Sequence, residues 1–520
     1  MKKQPNFLYI MTDQHRADWL GCYGHPLVRT PNIDALADTG TRFEQFFVAS
    51  PVCMPNRASF MTGRYPSVHG LRYNGCLLSE RANTFVDVLR AGGYKTASIG
   101  KSHLQPMTDQ APFARDEFDA GPITEAWKAS GAEHDNEQPQ QYDKDGRHTF
   151  PSPYYGYDHI DMVTGHGDRA GGHYRQWFRE RHSDWRELTD RANQLPHNFT
   201  CPQAFRTPIS EESYPTFFVR DCAKNYLRSV KDDATPFFSF VSFPDPHHPF
   251  NPPGRYWDMY SPDDFDLPVR FSDHNNPPPP LLNAKAKFEL GELPAVAQIL
   301  FMASEQHIRE AMALTAGMIT MIDDAVGDIV QTLKDTGQYE DTVIIFNSDH
   351  GDFLGDFDLL LKGAWPKDAI TRVPMIWSDP RDRSAKQTQS LASTVDIAPS
   401  ILERAGIRPY FGMQGSSFIA ATEGKPGPRD DVLIEFNDGG KRMGFDPAAR
   451  VRALVTDDWH LAVYKGEEWG ELYDRNEDPY HLQNLWQSEA HAEIKARLIL
   501  RLTHHLIGQM DESPRSTLLA

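Results

Sequence analysis

The chain has 520 residues, of which 39% are hydrophobic and 24% charged, and it carries a formal net charge of −19. That composition fits a globular protein with a large core, and the acidic balance argues against a nucleic-acid partner or an anionic membrane surface, both of which need a basic face. If the substrate is itself an anion, a local cluster of positive side chains must be set against that background.

Met1-Lys2-Lys3 is basic, but the apolar run after it, Phe7 to Met11, is too short for a signal-peptide core. No stretch approaches the ~20 apolar residues of a spanning helix. The cysteines (Cys22, Cys53, Cys76, Cys201 and Cys222) are odd in number in a long chain, so a disulfide framework is not expected. These features predict a reduced, cytoplasmic protein.

Phe7-Leu8-Tyr9-Ile10-Met11 reads as a buried strand of a parallel sheet, ending in Thr12-Asp13. Residues 84–92 read as a helix closed by Gly92 or Gly93, followed by a strand at Thr96 to Ile99. Phe237 to Phe243 is a further strand and leads into Pro244-Asp245-Pro246-His247-His248-Pro249. Apolar positions at three- and four-residue spacing, from Ile308 to Val330, predict a long amphipathic helix ended by Gly337. Thr342 to Phe346 is then a buried strand running into Asn347-Ser348-Asp349-His350-Gly351. The alternation predicts an α/β fold with a large, mostly parallel sheet flanked by helices. Short strands after residue 425 and a helix near 488–508 predict a small antiparallel α+β subdomain. The expected domains are 1–424 and 425–520, with insertions at about 125–215 and 262–296 forming long surface loops around a site.

Sites in open α/β sheets form beyond the carboxyl ends of the strands. Asp13 and Asp349 each follow a buried strand, so the two carboxylates can converge, with Gln14 and His350 beside them. Two carboxylates, an amide oxygen and an imidazole form a shell for one divalent cation. A second constellation, Ser50 to Gly63, holds Cys53 just before Pro55, a residue suited to a first helical turn, and Arg57 one turn in. A helix start there aims N–H groups and a positive dipole end at an anion.

Cys53-Met54-Pro55-Asn56-Arg57 resembles the Cys-x-Pro-x-Arg core by which sulfatases mark a cysteine for oxidation to formylglycine. Gly93 to His103 is similar to the second sulfatase signature. The resemblance continues through Pro246-His247, Ser348 to Gly351, Lys362, Asp396-Ile-Ala-Pro-Ser, Leu472-Tyr473-Asp474 and Asp478-Pro479, spanning nearly the whole chain. It places the sequence in the sulfatase branch of the alkaline-phosphatase-like superfamily.

That resemblance implies a sulfuric ester hydrolase acting on small anionic esters. Asp13, Gln14, Asp349 and His350 match the metal-ligand positions. Cys53 matches the formylglycine, whose hydrate also meets the metal, attacks the ester and passes through a covalent sulfo-enzyme. Arg57 matches the residue that holds the hydrated aldehyde, and Lys101 and Lys362 match the ammonium groups on the sulfuryl oxygens. His103 fits the base that regenerates the aldehyde, and His247 an acid or donor at the leaving oxygen; His248 is the weaker neighbour. Asn74 either lines the same pocket or serves only as a turn residue. A formylglycine-generating enzyme, or an equivalent, is implied for maturation.

Many sulfatases carry Asp-Asp and Asp-Asn where this chain has Asp13-Gln14 and Asp349-His350. The combination is similar to phosphonate monoester hydrolases and choline-sulfatase-like enzymes. An amide for a carboxylate lowers the shell's negative charge, and an imidazole softens it, so Mn²⁺ is expected ahead of Ca²⁺, with Zn²⁺ also accommodated. Lys101 and His103 agree with sulfatases, so sulfate monoesters come first, with phosphonate monoester or phosphodiester hydrolysis as the alternative. The histidines of 125–215 lack regular ligand spacing and are not expected to form a second metal site. Trp365 and the aromatic-rich insertions would suit an aryl leaving group or serve as packing anchors. The tail from Thr503 to Leu519 could dock on a neighbouring subunit of a homo-oligomer.

Overall fold

The computed structural model describes residues 4–110, 134–144, 146–294, 298–513 and 515–518. Residues 125–133, 145 and 295–296 of the expected insertions, and residues 514 and 519 of the tail, lie outside the described residues.

Among the described residues, nine strands form the main sheet. Its centre is a parallel array of Thr342–Ser348, Asn6–Thr12, Phe237–Ser242, Lys95–Gly100 and His159–Thr164, in that spatial order. Met375–Ser378 adds an antiparallel strand beside Thr342–Ser348, so the sheet is mixed but mostly parallel. The apolar runs are continuous because both faces are covered. Along Asn6–Thr12, Leu8 and Ile10 enter the core shared with the 31-residue helix Glu305–Asp335, whereas Phe7, Tyr9 and Met11 face the core under the helix Cys53–Thr62.

The helix over 84–92 is realised as Phe85–Ala91, with Thr84 and Asp87 in a capping box and Gly92 at its end. The C-terminal strands Val432–Asn437, Arg450–Val455, Trp459–Tyr464 and Gly470–Asp474 form an antiparallel sheet, accompanied by the helix Ala492–Gly508.

One expectation needs correcting. Residues 125–215 are not only surface loop, because His159–Thr164 is a strand of the main sheet and His173–Arg181 is a helix. Their apolar positions are interrupted by His, Asp and Arg, which hid the period. All five cysteines are free, and no helix among the described residues is long and apolar enough to cross a membrane.

Candidate active site

The parallel strands converge on the site through their carboxyl ends. Asp13 follows Asn6–Thr12, Lys101 follows Lys95–Gly100, and Asp349 follows Thr342–Ser348. His247 lies five residues past Ser242, and His166 two residues past Thr164. Gly100 makes one of these approaches feasible. Its φ is +101°, and a Cβ there would stand 1.9 Å from the Ser242 carbonyl oxygen, which accepts from the Lys101 N–H at 3.0 Å.

Cys53 opens the helix Cys53–Thr62, whose residues are all buried. No side chain of the preceding Val52 caps it; instead the Met54 N–H donates to Asn74 Oδ1 at 3.2 Å. Asn74 thus holds the start of this helix. Asn56 fixes the other side, accepting from the Ala49 N–H at 3.0 Å and donating to the Asp349 carbonyl at 2.6 Å.

Cys53 Sγ lies 3.1 Å from His350 Nε2 and 3.8 Å from Asp13 Oδ1. Asp13, Cys53, Asp349 and His350 present donor atoms all within 4.8 Å of one another. The set mixes hard carboxylate oxygens with an imidazole and suits a single divalent ion. His350 Nδ1 faces the Gly351 carbonyl oxygen at 2.8 Å, which leaves the Nε2 lone pair directed at Cys53 and the carboxylates. Gln14, at a positive φ of 63°, donates through Nε2 to Asp352 and turns Oε1 towards Lys362 Nζ at 2.6 Å. Its amide oxygen is therefore already presented to a cation.

Arg57 is 1% exposed and spreads its guanidinium over four partners. Nε donates to Asp349 Oδ2 at 2.7 Å, Nη2 to Asp13 Oδ2 at 3.4 Å, and Nη1 to the Lys101 carbonyl at 2.7 Å and to Ser242 Oγ at 2.8 Å. Lys101 Nζ pairs with Asp13 and lies 2.6 Å from His166 Nε2. Lys362 Nζ donates to His247 Nε2 at 2.8 Å, and His247 Nδ1 faces the His248 carbonyl at 2.6 Å. His247 Nε2 is thus an acceptor here, facing the Lys362 ammonium.

Burial shapes the protonation states. It opposes ionisation of Asp13, but Lys101, then His247, His166 and Arg57, hold its carboxyl well below the usual range. Burial pushes the Cys53 thiol up, aided by Asp13, so the unmodified cysteine stays protonated. Burial, reinforced by Lys101 and Arg57, keeps His103 well below the ordinary imidazole value, so the ring is neutral. Its backbone sits at a positive φ of 59°, with its N–H donating to Glu137 Oε2 at 2.9 Å.

Asp13, Gln14, Cys53, Arg57, Lys101, His103, His247, Asp349, His350 and Lys362 thus belong to one cluster. Trp365 does not line it: the indole is fully buried against Phe353 and Phe357 and donates to Glu471 Oε2 at 2.8 Å. Sequence reasoning missed His166 and Asp352. His166 stacks on His247 with centroids 3.6 Å apart and lies 3.6 Å from Asp13 Oδ2. Its place after a sheet strand was the available signal, and the irregular pattern around it concealed that strand.

The sulfatase family profile matches residues 5–407, and the profile of the N-sulphoglucosamine sulphohydrolase C-terminal region matches residues 362–507. An arylsulfatase of Clostridium perfringens is 28% identical, over 94% of this chain and 92% of its own. A multifunctional alkaline phosphatase superfamily protein, PehA of Trinickia caryophylli, is also 28% identical, over 96% and 95%. The crystal structure of a phosphonate monoester hydrolase of Agrobacterium radiobacter superposes with a TM-score of 0.77 at 24% identity, covering 99% of this chain and 98% of that one.

Proposed function

The chain belongs to the sulfatase family, and we propose that it hydrolyses sulfate monoesters at the buried cluster around residue 53, with that cysteine converted to formylglycine. The observation that carries the reading is the charge arrangement. Arg57, Lys101 and Lys362 are at most 3% exposed and are interleaved with Asp13, Asp349 and Asp352 around the Cys53 side chain. Three cations balance three carboxylates formally, so one added divalent ion leaves a net positive pocket for an anionic ester.

Asp13, Asp349, His350 and the Gln14 amide oxygen would hold the metal. When bound, the ion supplies a lowered pKa for the attacking oxygen and polarisation of the ester oxygens, with residue 53 as formylglycine hydrate providing that oxygen. The chain's own groups do the rest. Arg57 orients the two carboxylates and holds the residue 53 side chain. Lys101 and Lys362 bind the transferred group's oxygens, where charge builds in the transition state. Lys362, backed by the acceptor nitrogen of His247, donates towards the leaving oxygen. Neutral His103 takes a proton at residue 53 as the aldehyde is restored.

Mn²⁺ is the preferred ion, because the Gln14 amide lowers the shell's negative charge and the His350 imidazole softens it. Full activity with Ca²⁺ alone would sink that preference. The decisive test is mass spectrometry of the tryptic peptide containing residue 53, from protein co-expressed with a formylglycine-generating enzyme. The expected product carries an aldehyde in place of the thiol, and an active enzyme with only unmodified cysteine would overturn the mechanism.

The Gln14–His350 pair also favours a second reading, phosphonate monoester or phosphodiester hydrolysis at the same cluster. The two phosphonate monoester hydrolases among the similar structures share this fold, which is compatible with it. Parallel turnover of an aryl sulfate and an aryl phosphonate monoester separates the two, with the higher kcat/KM expected for the sulfate.

A further inference from the structure

A second group of metal-type donors lies where the C-terminal sheet meets the short helix Asp368–Thr371. It shares no residue with the active site. His460 comes from the strand Trp459–Tyr464, His481 from the loop after the strand Gly470–Asp474, and Asp368 from the start of the short helix. One donor atom from each lies within 4.8 Å of the other two. His460 Nδ1 stands 3.9 Å from Asp368 Oδ1, and the two imidazole centroids are 4.7 Å apart.

The two imidazoles are buried and Asp368 is partly buried, and they do not satisfy one another. His460 is 1% exposed and His481 2%, yet His460 Nδ1, His460 Nε2, His481 Nε2 and Asp368 Oδ1 are all buried atoms without a hydrogen-bond partner. Buried polar atoms in native proteins are normally paired, so four orphans at one point call for a ligand. The charged neighbours are accounted for elsewhere. Lys367 Nζ pairs with Glu471 at 2.5 Å and lies over the Tyr473 ring, and Arg475 approaches only Asp368 Oδ2, at 3.5 Å. Asp368 Oδ1 remains available.

We propose that Asp368, His460 and His481 form a second metal site that binds a borderline-soft divalent transition ion, Zn²⁺ foremost, and ties the C-terminal sheet to the Asp368–Thr371 helix. Two imidazoles and one carboxylate select such an ion over Mg²⁺ or Ca²⁺, which demand oxygen ligands. Tetrahedral zinc donors at about 2.1 Å from the metal stand roughly 3.4 Å apart, so the 3.9 Å gap closes with a small shift. Burial keeps both rings neutral, His460 at about 4 and His481 well below its usual value, so their lone pairs are free at neutral pH. A cavity of ≈ 540 Å³ lined by Asp368 and His481 gives the ion an entry path.

The test removes the active-site ligands first. Full-length Asp13→Asn/Asp349→Asn protein, stripped with chelator and dialysed against Zn²⁺, is expected to retain one zinc per chain by elemental analysis. Adding His460→Ala/His481→Ala should abolish it, and Co²⁺ substitution should show visible ligand-field bands that vanish with the same pair. Uptake of no zinc by the first variant, or equal uptake by the second, overturns the proposal. Should the combined variants not fold, native mass spectrometry of zinc-loaded wild type against His481→Gln decides it: loss of one metal supports the site, and equal stoichiometry refutes it. Failure of the active-site reading is distinct, since there Asp13→Asn/Asp349→Asn would lose no metal relative to wild type.

Discussion

Replacing Lys101 with methionine keeps an unbranched stem of similar length in a site where the lysine is wholly buried, and removes one charge. The ammonium pairs with Asp13 and contacts His166, while the backbone carbonyl, which the substitution preserves, still accepts from Arg57. The proposed role is stabilisation of charge on the transferred group. Loss of one such pre-organised donor costs about 10²–10³ in kcat, or roughly 3–4 kcal/mol. Asp13 Oδ2 keeps the longer contacts to Arg57, at 3.4 Å, and His166, at 3.6 Å, so its oxygen becomes a freer metal ligand. Metal content should therefore hold at the wild-type level. The assay is steady-state turnover of an aryl sulfate by Mn²⁺-loaded protein, alongside elemental analysis. Wild-type kcat/KM to within threefold would refute the reasoning. So would a loss of activity that follows a loss of metal and is restored by excess Mn²⁺.

Two further perturbations probe the scaffold. Gly100→Ala places a methyl against the Ser242 carbonyl at a positive φ, and should lower the melting temperature and cut kcat by at least tenfold by moving Lys101; an active, equally stable variant would contradict the close-approach argument. Burial raises the Glu137 carboxyl to about 7, against bonds from Tyr154, Leu104 and His103 that favour its ionised form. A raised carboxyl pKa adds stability that is fully present below about 4.5 and is lost as pH rises through 7, here on the order of 3 kcal/mol. Melting temperatures of wild type and Glu137→Gln between pH 5 and pH 8 should therefore show a pH-dependent fall in the wild type that the variant lacks, and identical slopes would dismiss the role of Glu137.

The parts of the molecule legible in the sequence were those with a strong local period or a residue type that only one kind of place demands. Phe7 to Met11 and Thr342 to Phe346 are buried on both faces, so their apolar runs are unbroken and the carboxylates after them stand out. The long helix Glu305–Asp335 announced itself through spacing alone. His159–Thr164 was hidden because it begins with a half-exposed histidine and isoleucine and carries Asp161, which pairs with Arg147 across from it. With the strand went His166, whose significance depends on where that strand ends. Asp352 was equally silent: its carboxylate acts by fixing the Gln14 amide, a contact between residues 338 positions apart.

The acidic composition posed a demand that the fold answers by burial rather than by surface charge. Exposed lysines on a chain of net charge −19 would be screened and flexible, and would grip a small anion weakly. Lys101 and Lys362 are instead desolvated, each anchored by an acceptor that orients it: Asp13 for the first, and the Gln14 amide oxygen with His247 for the second. The same acceptors are the proposed metal ligands or lie beside them. A cation bound there would draw Asp13 and Gln14 away from the ammonium groups and free both lysines to face the ester. Metal binding and anion binding are then coupled through shared oxygens, so Lys362→Met should weaken the dependence of metal affinity on the presence of sulfate. Titrating Mn²⁺ into wild type and variant, with and without sulfate, measures that coupling directly, and an unchanged sulfate effect in the variant would break the link.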